Sequence, residues 1–531
     1  MNELLSFWNS LVGNSVLLLV IMPVAGALIV RIMAAWGSET VYFTALTNVW
    51  LTTCLGVILL FRFEFDEQQN ANGTLHSVYV GSSVDWLASR VPVETESLDD
   101  EMRPEFRTVG PDIRFAFGCS RLALWPILVI LTTSLACLST VSIDDPKLVP
   151  RISWLLVTES ALIGTFAAQD IVLLAFFIEL SSFGLFFLAG LSTGRHYREA
   201  ARRFFWMQLV SGALLVVGLT GLAIAHWWMR HTLTNPHPDL TFSIPGIVRG
   251  IPELAYSTES ARGYWDAISP WLFTMLVTGL ALRVPLAPLH AGWMRLVDHC
   301  DRQVMALAAA GGLPFGFHAA ARLIVPAFPD LTAEIGFRVM MWSVTAAVVL
   351  SLMSITADTN RRRVGLASLA AFSVAFGVTF LDHPLALHGG LLLTVGASAS
   401  AAVLFLIVPD KSITGDSVSS PVKDESPAVS LCYRAVTVLA AAGLACLPVS
   451  ASFFGALLAI QAVFTRNTTA AFWLIGAILC AAVTGAQLLR TSAASDQQLR
   501  ASRLPALVPL IVILALIAIV PQAVTGAGSG N

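Results

Sequence analysis

Glu179 stands in the middle of I-V-L-L-A-F-F-I-E-L-S-S-F-G (171–184), with no opposite charge near it in sequence. An ionisable side chain at mid-membrane costs at least about 2.5 kcal/mol, so it has to face a partner or a water-filled cavity. Arg283 lies at the far end of another apolar run, just before Pro285 and Pro288. A Glu179–Arg283 pair would let each charge offset the burial of the other. Such a pair is either a static salt bridge that fixes helix packing or a gate for protons. Arginine keeps its proton in proteins, so any switching falls to Glu179 or to motion of the pair. Histidine titrates near neutrality and can relay protons. His290, two residues after Pro288, and His318, within the run 304–325, are the two at membrane depth. Asp170 and Glu159 are expected near helix ends, where water reaches them and a structural role is favoured. Asp298, His299 and Asp301 cluster in a connection, a weak signal for metal.

The elements that position these groups are membrane helices. The chain has 531 residues, 56% hydrophobic and 12% charged, with mean hydropathy +0.75. A soluble domain carries about 25% charged residues, and one this apolar could not hide its side chains inside. The net charge of -3 suggests no nucleic-acid partner. Runs long enough to span lie near 15–34, 41–62, 122–141, 152–168, 170–191, 204–226, 267–284, 304–325, 336–356, 364–381, 387–408, 430–449, 452–465, 470–489 and 504–523. The fold class is all-α and polytopic, with about 14 crossings, because 430–465 reads as one broken crossing or two. The first run is long enough to be a retained helix rather than a signal peptide. No phosphate-cradling loop, nucleotide fingerprint, nucleophile elbow or paired-cysteine motif occurs. The expectation is no catalytic residue, no cofactor and no metal in this chain. The seven cysteines read as small apolar residues.

Prolines and charges organise the series. Pro285, Pro288 and Pro448 interrupt apolar runs, and proline breaks a helix locally. Breaks in matching positions of two halves suggest two inverted five-helix repeats with a pathway at their interface. The organisation is then 1–62, N-terminal helices; 63–120, an extramembrane segment with eleven acidic residues; 121–330, the first repeat with its flanking helix; 331–465, the second repeat; and 466–531, C-terminal helices. The arginines of 195–203 and 361–363 place those loops on the cytoplasmic face. The N-terminus and 63–120 then fall outside. Past residue 450 the charge bias is too weak to orient the chain.

Five stretches carry a family resemblance, in consistent order from about 115 to 460. Q-D-I-V-L-L-A-F-F-I-E-L-S-S-F-G (169–184) resembles the fifth helix of the antiporter-like subunits of respiratory complex I, whose key glutamate matches Glu179. R-E-A-A-R-R-F-F-W-M-Q-L-V-S-G (198–212) resembles the next helix. R-V-P-L-A-P-L-H-A-G-W (283–293) resembles the family's broken seventh helix. A-A-R-L-I-V-P-A-F-P (320–329) is similar to the end of the eighth, and F-A-F-G-C-S-R-L-A-L (115–124) to the approach to the third. The P-L-x-P-L-H spacing favours the M type (chain 4), and Mrp-type antiporters share the fold. The resemblance implies a multi-pass subunit of a bacterial inner membrane. It would move protons, or Na+, beside other membrane subunits of an NADH-quinone oxidoreductase-like complex, with Glu179, Arg283, His290 and His318 as the proton pathway. Alternatives are a degenerate, non-conducting docking subunit of another ion-coupled complex and a cation/proton antiporter subunit.

The chain also departs from that pattern. The only lysines are Lys147, Lys411 and Lys423, none in a spanning run. Where the resemblance implies relay residues, this sequence has Arg283, Pro314, Ala371, Ala397 and Ala456, and W-M-R-L-V-D-H (293–299) is altered too. A row of alanines does not attract water.

Overall fold

Hydrocarbon offers the backbone no hydrogen-bonding partner, so a spanning segment has to close its own bonds as a helix. The computed structural model describes residues 14–69, 80–85, 89–93, 105–109, 111–192, 196–233, 240–408, 427–448, 450–494, 504–521 and 524. Among them eleven helices are long and apolar enough to cross a membrane, with three shorter apolar helices beside them. The chain is a multi-pass, all-α membrane protein.

The helices run α1 (Ser15–Met33), α2 (Ser38–Gln69), α3 (Arg121–Ser139), α4 (Leu148–Ala167), α5 (Ile171–Gly190), α6 (Tyr197–Leu233), α7 (Ile244–Ala255), α8 (Glu259–Arg283) and α9 (Ala291–His299). They continue as α10 (Arg302–Ala327), α11 (Pro329–Ile355), α12 (Asn360–Val378), α13 (Pro384–Ile407), α14 (Pro427–Leu444), α15 (Ala451–Arg466), α16 (Thr468–Ala494) and α17 (Leu504–Ile519). The bundle has a centre and a periphery. The spanning windows of α12 and α13 are fully buried and those of α3 and α10 are 94% buried, whereas α1, α2 and α16 turn most of their surface outward. Of these central helices α10, α12 and α13 are rich in Ala, Gly and Ser, and small residues let helix backbones approach closely in a membrane. A Cβ on Gly455 of α15 would lie 2.5 Å from the Leu393 nitrogen and 2.7 Å from the Gly389 oxygen, both on α13.

Two breaks interrupt the bundle, between α8 and α9 and between α14 and α15 around Pro448. They close alike. The Val284 and Ala445 amides donate four residues back, to Leu280 and Ala441; the Leu286 and Leu447 amides donate five back, to Ala281 and Ala442. This pairs Arg283 with Leu444. Helix α10 contains two π turns, Ala308–Gly312 and Ala320–Ile324, one on each side of Pro314 and His318.

The acidic segment expected between the second and third crossings carries strands that its composition does not reveal. β1 (Val80–Asp85) pairs antiparallel with β5 (Arg114–Cys119), β2 (Ser89–Val93) antiparallel with β3 (Glu105–Val109), and β4 (Pro111–Asp112) parallel with β6 (Leu240–Thr241). β5 caps the bundle where α4 turns into α5. The Gln169 amide donates to Ala116, its side chain donates to Gly118, and Arg322 of α10 donates to its side-chain oxygen at 2.6 Å. The opposite end is held by ion pairs. Arg151 of α4 reaches Asp145 at 2.8 Å and Asp301 at 2.7 Å, and Arg362 of α12 holds Asp298 through both of its oxygens.

Candidate functional site

α5 is apolar almost throughout, so the few polar groups on it have to look inward. Glu179 is half-buried and Ser181 and Ser182 are fully buried. Opposite them, α8 ends at Arg283, which is 3% exposed. The proline-rich break starts there, so the arginine side chain meets α5 at the end of its own helix. Nη1 donates to Ser182 Oγ at 2.9 Å; Nη2 donates to Ser181 Oγ at 2.5 Å and to the Ile178 carbonyl at 3.1 Å. The guanidinium also lies 5.8 Å from the centre of the Phe315 ring.

The structure thus brings Glu179 and Arg283 together, but not as the direct pair expected. Among the described residues no ion pair within 4.0 Å joins them. The guanidinium spends its donors on two hydroxyls and a carbonyl just around Glu179. The carboxylate instead lies against α6, in the space left by the missing side chain of Gly212, and its Oε2 is buried without a hydrogen-bond partner. Beside Arg283 is a cavity of about 10 Å³ lined by Ser182, Gln208, Phe204 and Trp293 among others, with room for one water. Gln208 Oε1 is likewise buried without a partner. Glu179 itself does not line this space; a proton-accepting carboxylate near a fixed buried cation, with a water-sized, partly polar space beside that cation, can hold a proton.

The other candidates lie elsewhere. His290 caps α9, half-buried, and does not line that cavity. His318 is 2% exposed within α10, its ring 4.9 Å from that of Phe166. Glu159 corrects the sequence expectation. It sits midway along α4, not near an end, and has no exposed surface. The apolar run 152–168 itself centres on residue 160, so the spacing already placed Glu159 at mid-helix and not at a hydrated end. Asp170 is at a helix end but is buried. It is 1% exposed, and it accepts hydrogen bonds from the Val172 amide at 2.8 Å, as the N-cap of α5, and from the Arg114 amide at 3.3 Å. Burial pushes its carboxyl up to about 6 against these bonds. Asp298 and Asp301 are engaged by Arg362 and Arg151, and the His299 ring lies 5.9 Å from that of His196.

No protein-family model matches the chain. It is 23% identical over 420 residues to NADH-quinone oxidoreductase subunit M of Rhodobacter capsulatus, an alignment covering 75% of this chain and 78% of that one. A chain of respiratory complex I from Thermus thermophilus superposes with a TM-score of 0.73 and 16% identity over 97% of both chains. A chain of the Mrp complex from Dietzia sp. DQ12-45-1b gives 0.68 and 15%, over 97% of this chain and 52% of that one. The chain is a divergent relative of subunit M.

The positions where the sequence departs from the expected relay can be placed in the fold. Pro314 opens the helical piece between the π turns of α10. Ala371 of α12 and Ala456 of α15 line one cavity of about 20 Å³, together with Leu444, Cys446, Ala367 and Ala477 among others. Ala397 is fully buried in α13. Leu444, which pairs with Arg283 in the two breaks, therefore borders a mostly apolar hollow where Arg283 borders a partly polar one. Sequence reasoning missed Ser181, Ser182, Gln208 and Gly212. The signal for the serines was their position directly after Glu179 on one helix.

Proposed function

We propose that the chain is an antiporter-like membrane subunit of an NADH-quinone oxidoreductase-like complex, taking part in proton translocation driven by quinone reduction elsewhere in the complex. Its place is the bacterial inner membrane, among other membrane subunits, in the organisation 1–62, 63–120, 121–330, 331–465 and 466–531. The relationship to subunit M supports the class. The observation that carries the reading is the Glu179 carboxyl, left without a fixed partner while Arg283 is tied to Ser181, Ser182 and the Ile178 carbonyl around it. An untied carboxyl beside a fixed cation can gain and lose a proton without breaking the helix packing.

The test is Glu179→Gln in the intact complex, reconstituted into vesicles. Proton uptake is expected to fall to background with assembly unchanged. Normal uptake overturns the reading.

A second reading has its own observation. The cavity lined by Ala371, Ala456 and Leu444 is walled mostly by apolar side chains, with Ser351 supplying its one hydroxyl, and a space so lined attracts water weakly. If the second half carries no protons, the chain is a docking subunit, and Glu179→Gln would matter only where it costs assembly. A cation/proton antiporter subunit is the remaining alternative; the likeness to the Mrp chain is one of fold, and that reading requires uptake that depends on Na+.

A further inference from the structure

Glu159 plays no part in the site around Glu179. It lies midway along α4, with no exposed surface. Its Oε1 accepts one long hydrogen bond, from Thr52 Oγ1 of α2 at 3.5 Å, and its Oε2 has no partner at all. Among the described residues no ion pair within 4.0 Å engages it. The Cys137 thiol of α3 is its titratable neighbour, and among the described residues no charged side chain of the helices packed around it is paired with it. A fully buried carboxyl with so little around it is costly to keep, and such residues in membranes mark ion and proton paths.

A route to it is visible on α2. Glu39, Thr40, Thr44, Thr47 and Asn48 fall on one face of that helix and wall a groove of about 590 Å³ against α1. Asn48 is the innermost polar residue of α2 on its wall. Its amide nitrogen donates to the Met22 carbonyl at 3.0 Å, and its Oδ1 is buried without a partner. Thr52 follows one turn further in. Its hydroxyl is shared between the Val49 carbonyl, at 2.9 Å, and Glu159. From Thr40 to Thr52 is about 18 Å along the helix axis, more than half of a hydrocarbon core about 30 Å thick.

We propose that Glu159 is a second proton-binding site, filled from the groove between α1 and α2 by way of Asn48 and Thr52. One proton adds to the carboxylate and gives the neutral acid; nothing is oxidised or reduced. A metal cation does not fit, because one hydroxyl at 3.5 Å cannot replace its hydration shell. The site stands on residues that the Glu179 reading does not use.

Infrared difference spectra of the intact complex in vesicles test it, before and after transfer to D2O. A carboxylic-acid C=O band is expected that disappears in Glu159→Gln and shifts on deuteration. In Asn48→Leu the band should remain while its deuteration slows by about tenfold, the worth of one lost hydrogen-bonding partner. Thr52→Val, which keeps the volume, should move the band to higher frequency. If Glu159→Gln does not assemble, the Asn48 and Thr52 variants report on the same acid without removing it. Absence of the acid band at every pH that keeps the complex assembled overturns the proposal, as does deuteration equally fast in Asn48→Leu. The Glu179→Gln complex should show the same Glu159 band, so failure of either reading leaves the other standing.

Discussion

A glycine decides where the Glu179 carboxyl rests. Gly212 leaves the space on α6 that the carboxylate occupies, and a methyl group there would collide with it. Gly212→Ala changes no titratable group, yet it has to push the carboxyl off its seat. Proton uptake by the reconstituted complex should fall several-fold while α6, which gains a better helix former, stays folded. Uptake equal to wild type would show that the position of the carboxyl is immaterial. Asp170 gives a second expectation at this scale. A buried acid whose folded-state value is about 6, against an ordinary 3.8, holds its proton more tightly folded than unfolded. The stability it lends is complete below the lower value and is lost as pH rises through the upper one. It amounts to at most about 3 kcal/mol. Asp170→Asn keeps an acceptor for the Val172 amide, so it should flatten the fall of melting temperature across that window. Parallel profiles for the two proteins would rule out Asp170 as the source.

Among elements, one close joint is between α13 and α15. Gly389 and Gly455 face each other there, and any side chain on either meets backbone rather than a flexible tip. Gly455→Ala should therefore cost about 1–3 kcal/mol, the usual penalty of overpacking. It is measurable as a lower melting temperature in detergent. An unchanged midpoint would mean that the helices part without cost. The joint lies a few residues past the break at Pro448, so the close packing begins where α14 ends. At the corresponding place in the first half, the break after α8 is held by polar bonds from Arg283 instead.

The whole molecule is asymmetric about these two breaks. The hollow beside Arg283 has serine, glutamine and tryptophan on its walls; the one beside Leu444 has mostly alanine. Filling the second with a larger apolar side chain, as in Ala371→Val, should raise stability by about 0.5–1 kcal/mol. It should leave proton uptake as it was. Loss of uptake would place a water path through the second half. Much of this was legible in the sequence. The bundle, both breaks, Glu179 and Arg283 stand out because charges and prolines are rare in apolar runs. Ser181, Ser182 and Gly212 were hidden because small and hydroxyl residues are ordinary in membrane helices, and only the partner across the gap gives them meaning. The π turns of α10 left no mark that periodicity could separate from a plain helix. The strands before α3 were obscured by the acidic composition of their segment. The segment between α8 and α9 is gripped from both sides: Arg283 ties its start to α5, while the indole of Trp342 on α11 donates to the Ala287 carbonyl at 3.2 Å and that of Trp293 to Gly365 of α12 at 3.3 Å. Any displacement of α5 against α11 and α12 has to pull on this segment, and the Leu286 and Leu289 amides would register it as faster exchange with solvent deuterium.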